Sequence, residues 1–69
     1  MKTFAQHLQD LQATRKAKED AQTAVARKGV DEGRSLNTAE QAEFDSLDAE
    51  IKSLDADIAR TSTMAAREK

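Results

Sequence analysis

A chain of 69 residues can form one small domain at most, and chains this short bury little surface alone. Charged residues are 35% and cysteine and proline are absent, a long-helix composition that excludes disulfides, thiolate metal sites and a cysteine nucleophile. The net charge of −2, the lack of any run near the roughly 20 apolar residues of a membrane span, and the absence of an apolar secretory core in MKTFAQHLQD predict a soluble, intracellular chain that binds neither nucleic acid nor membrane.

The predicted fold is all-α, two long helices joined by a short glycine-containing loop, either as a hairpin or as part of a coiled-coil assembly. The first helix is expected over about 3–28. Thr3 can cap it while Gln6, three residues on, reaches back in a capping box. Gly29 reads as its stop, with Arg27 and Lys28 suited to the negative end of the helix dipole. Its apolar face is uneven: Phe4, Leu8 and Leu11 form one patch, and Ala21, Ala24 and Val25 a weaker one. Between them TRKAKED, residues 14–20, offers only Ala17, and Lys18 falls on the expected seam. The middle of this helix is therefore expected to fray or to pack only in an assembly.

GVDEGRSL, residues 29–36, reads as the connecting loop. Asn37 and Glu40 then form a second capping box with Leu36 as a hydrophobic staple, and Thr38 with Gln41 offers the same pattern one residue later. The second helix, about 37–60, carries a 3-4 stripe of Phe44, Leu47, Ile51, Leu54 and Ile58, flanked by acids. Asp48 and Lys52 stand in the favourable order for a pair four apart. Residues 61–69 read as a frayed tail, in which Met64 and Ala65 continue the seam feebly.

Charge is divided between the halves. Residues 1–34 carry seven Lys/Arg and five Asp/Glu; residues 35–69 carry four and eight, so the halves suit pairing with one another. Catalytic chemistry is missing. His7 is the only histidine and has Asp10 as its only near partner, which makes neither a metal site nor a catalytic dyad. The acids from Asp45 to Asp57 lie along a helix rather than in a calcium loop, and the glycines lack a phosphate-loop context. RKAK, residues 15–18, is followed at once by Glu19 and Asp20 with no aromatic for base stacking. No enzyme, metal or cofactor is expected.

Interaction remains. The seam Phe44, Leu47, Ile51, Leu54 and Ile58, with Phe4, Leu8, Leu11 and Val25, is the expected self-association surface. Each buried Leu or Ile contributes about 1.5–3 kcal/mol, set against the ordering of most of the chain, so a weak, concentration-dependent homo-oligomer is expected. A small hairpin adaptor or regulator binding a partner helix is the alternative.

The turn GRSL followed by NTAEQAEFDSLDAEIKSLDADIAR resembles the N-terminal delta, or scaffolding, domain of Hong Kong 97-type major capsid proteins of tailed phages. The likeness runs over residues 33–60 through Gly33, Arg34, Leu36, Asn37, Glu40 and the five stripe residues; Asn37 stands where the family often has threonine, and the first helix matches only in style. The shell-forming capsid domain is not in this sequence. The resemblance implies a scaffold that guides prohead assembly in the host cytoplasm and lies inside the immature particle. Its partners would be itself, the capsid shell domain and the phage maturation protease that later removes it.

Overall fold

The computed structural model describes residues 1–68 and is an all-α hairpin, α1 Phe4–Glu32 and α2 Thr38–Arg67, with no strand among the described residues. The two helices lie side by side as a rod of 52 × 17 × 16 Å. Cross-helix contacts pair Gln22 with Asp48, Lys18 with Glu50, Arg15 with Asp55 and the Phe4 amide with Glu68. As one number falls the other rises, which fixes an antiparallel register.

Both predicted helix starts form as capping boxes. The Gln6 amide donates to Thr3 Oγ1 at 3.1 Å and the Thr3 amide to Gln6 Oε1 at 2.9 Å. The Glu40 amide donates to Asn37 Oδ1 at 2.9 Å and the Asn37 amide to Glu40 Oε1 at 3.0 Å. Each box satisfies two amides that a helix start otherwise leaves unpaired.

The end of α1 differs from expectation. The helix runs through Gly29 to Glu32, and Gly33 ends it at φ 63°, ψ 35° in the left-handed region. The Arg34 amide donates to the Gly29 carbonyl at 2.9 Å and the Gly33 amide to the Val30 carbonyl at 3.2 Å, the paired closure of a Schellman motif. Gly29 has another task. It is buried, and a Cβ there would stand 2.8 Å from the Arg34 carbonyl oxygen and 3.2 Å from Leu36 Cδ2. The returning chain packs on a bare helix backbone, so this glycine serves close approach and Gly33 serves the turn. The connection shortens to 33–37, and no basic residue lies in the last turn of α1; Arg27 pairs with Asp31 instead.

Two further differences follow from the register. The middle of α1 is continuous helix, because Arg15, Lys18 and Gln22 each find a partner across the hairpin. The expected frayed tail is helical through Arg67: Thr61 and Ala65 are half-buried along α1, and Glu68 accepts the Phe4 amide at 3.3 Å. Thr63 is accommodated by donating its hydroxyl to the Ala59 carbonyl at 3.0 Å. Lys69, the last residue of that tail, lies outside the described residues.

Candidate interaction seam

The helices bring the predicted seam residues together within one chain. On α1 the inward positions are Phe4, Leu8, Leu11, Arg15, Lys18, Gln22, Val25 and Gly29, an unbroken 4-3 alternation. On α2 they are Glu40, Phe44, Leu47, Ile51, Leu54, Ile58, Thr61 and Ala65, with the same alternation. Of the apolar residues named from sequence, only Val25 (4% exposed) and Ile51 (7%) are buried. Leu8, Leu11, Phe44, Leu47, Leu54 and Ile58 are half-buried, and Phe4 is 43% exposed. Two helices cover each seam residue from one direction and leave its flanks open to water.

The centre of the α1 seam is polar, which the sequence shows only in part. Lys18 was on the expected seam; Arg15 and Gln22 were not, although extending the spacing of Phe4, Leu8 and Leu11 reaches both. Lys18 Nζ lies 2.8 Å from Glu50 Oε2. Arg15 grips Asp55 with two nitrogens, one of them at 3.4 Å, and also pairs with Glu19. Gln22 Nε2 donates to the Phe44 carbonyl at 3.3 Å and to Asp48 Oδ1 at 3.4 Å. The hydrogen bond to Asp55 pushes the Arg15 pKa up. Lys52, 2.9 Å from Asp48, and then Gln22 hold the Asp48 carboxyl below its usual range. Asp10 pairs with Lys2 rather than with His7, and that bond lowers its pKa.

The turn carries the best-organised polar group. Arg34 donates to both oxygens of Glu40, at 2.7 and 3.1 Å, and also to Glu32 at 3.1 Å and to the Ser35 carbonyl at 3.1 Å. Glu40 is 8% exposed and closes the α2 capping box at the same time. Arg34 and then the Asn37 amide hold its pKa down at about 2. Sequence marks Glu40 as a cap and as part of the resemblance, but not as a buried residue. Its burial required the register of Arg34, which no local pattern supplies.

Among the described residues no enclosed cavity occurs, no three His, Asp or Glu side chains converge as a metal site, and no helix is long and apolar enough to cross a membrane. Exposed large apolar side chains are Met1, Phe4, Val30 and Met64. Phe4 and Met64 share the open end of the hairpin with the Phe4–Glu68 contact. Comparison of the chain with protein families, with curated proteins and with solved structures gives no match.

Proposed function

We propose that this chain is a non-catalytic assembly module, a scaffolding arm of the kind found ahead of Hong Kong 97-type capsid shells, that works by weak self-association and is later removed by proteolysis. The observation that carries this reading is the half-covered seam: apolar side chains form the α2 stripe from Phe44 to Ile58 and both ends of the α1 seam, yet of these only Val25 and Ile51 are buried. A surface of this kind supports contacts too weak for a free pair but effective when many copies are tethered together, because local concentration then replaces affinity. Reversible contacts let a growing shell discard misplaced subunits. The resemblance over residues 33–60 begins at the GRSLN turn, which Gly33, Arg34 and Asn37 close together with Glu40.

Sedimentation of the free chain across a wide concentration range tests this. The expected result is a monomer at micromolar concentration and a progressive rise in mass at millimolar concentration, with fusion to an oligomeric carrier enhancing it. A chain that stays monomeric in both settings sinks the proposal.

A further inference from the structure

The polar centre of α1 has a consequence for what the α2 stripe can accept. Lys18 is the α1 seam residue level with Ile51, between the Gln22–Asp48 and Arg15–Asp55 contacts, and its amine reaches the flank at Glu50. The two cations leave by opposite sides. Asp55 follows the seam residue Leu54, whereas Glu50 precedes the seam residue Ile51, which places them on the two flanks of the stripe. Arg15 and Lys18 thus straddle the apolar line, each matched to an acid beside it.

Those flanks are acidic throughout the centre of α2: Glu43, Glu50 and Asp57 on one side, Asp48 and Asp55 on the other. Pairing two copies stripe to stripe in parallel sets Glu43 of one against Asp48 of the second, and Glu50 against Asp55. Antiparallel pairing sets Glu43 against Asp57, and Asp48 against Asp55. Both orientations bring like charges together beside an apolar seam, where repulsion discriminates against the wrong partner.

We propose that Arg15 and Lys18 are the specificity residues of this seam. The α2 stripe accepts an antiparallel helix presenting cations at those two positions, which is the chain's own α1, and rejects the α2 of a second copy. Contacts between copies are then made by closed hairpins through the half-covered edges of the seam, not by pairing one α2 stripe with another. The proposal concerns selection within the seam and stands whether or not the chain is a capsid scaffold.

The test uses the full chain in four forms beside the wild type. Arg15→Glu with Lys18→Glu, and separately Glu50→Lys with Asp55→Lys, each lower the melting midpoint by roughly 10 °C or prevent folding. All four substitutions together restore the melt, and spin labels at the exposed positions Ala13→Cys and Ala59→Cys report the closed hairpin again. A fourth form neutralises the α2 flanks by Glu43→Gln, Asp48→Asn, Glu50→Gln, Asp55→Asn and Asp57→Asn, and self-associates at least about tenfold more tightly in sedimentation. Failure of the fourfold exchange to restore closure overturns the key. A neutralised form that associates no better than wild type overturns the rejection of a second stripe.

Discussion

Arg34 and Glu40 face each other across the turn with two hydrogen bonds, 2.7 and 3.1 Å long, and the same carboxylate caps α2 through the Asn37 amide. One side chain thus joins the end of one helix to the start of the next. The planar guanidinium is suited to this, since its fork matches both carboxylate oxygens at once.

This arrangement makes the hairpin acid-sensitive. Glu40 has a pKa of about 2 in the fold against an ordinary value of 4.5, so the folded chain binds its proton less readily than the unfolded chain. Its contribution is fully present above pH 4.5 and is lost as the pH falls towards 2. Melting followed by circular dichroism from pH 7 down to pH 2 should show a falling midpoint below about pH 4.5. Glu40→Gln should flatten part of that fall, leaving the slope from Asp10 and Asp48, whose pKa values are also lowered. An unchanged acid limb in Glu40→Gln would remove the carboxylate from this role.

The two glycines should respond for different reasons. At Gly29 an alanine gains helix propensity of up to about 1 kcal/mol, but its Cβ meets a backbone oxygen at 2.8 Å, which cannot swing away. The clash dominates, and Gly29→Ala should destabilise by about 1–2 kcal/mol net, with Leu36 displaced. At Gly33 nothing lies within 4 Å of an added Cβ, so Gly33→Ala should cost about 1–2 kcal/mol from its left-handed backbone alone. Gly33→Asn should recover much of that loss, because asparagine tolerates the conformation, whereas Gly29→Asn should be worse than Gly29→Ala. Chemical denaturation of the four variants separates the two cases.

These glycines also mark where sequence was readable. The capping boxes at Thr3 and Asn37 and the stripe from Phe44 to Ile58 depend on residues within one turn of each other, so they were legible locally. The choice between Gly29 and Gly33 as the helix end was not, because it depends on Leu36 and Arg34 returning over Gly29. Arg15 and Gln22 are not legible as seam residues for a similar reason. A charged or amide side chain on a seam looks like an interruption until the opposite helix supplies Asp55 or Asp48. The helical end of α2 likewise needed α1 alongside Thr61 and Ala65.

Cap losses should differ in their effects. Thr3→Ala and Asn37→Ala each remove a side-chain acceptor at a helix start, for which about 1 kcal/mol is typical. Asn37 also fixes the Glu40 backbone beside Arg34, so its loss should loosen the turn as well as the helix. Hydrogen exchange should show faster exchange confined to the first residues of α1 for Thr3→Ala. For Asn37→Ala it should reach both sides of the turn, including the amides of Gly33 and Arg34. A purely local effect at Asn37 would show that cap and turn act independently.

Ile51 gives the most direct assay of the seam. It is one of two buried apolar side chains among the described residues and lies level with Lys18 of α1 rather than with an apolar residue. Ile51→Ala should cost about 2–4 kcal/mol, a large share of the stability of so small a fold. Ile51→Asp should abolish the hairpin outright, since it buries a carboxylate in a stripe whose flanks are already acidic, and Leu54→Asp should do so less completely because that site is half-buried. Ile51→Leu controls for volume and should remain folded. Helicity by circular dichroism, with sedimentation at two concentrations, distinguishes loss of the hairpin from loss of association. If Ile51→Asp kept full helicity and the wild-type concentration dependence, neither closure nor association would pass through this stripe.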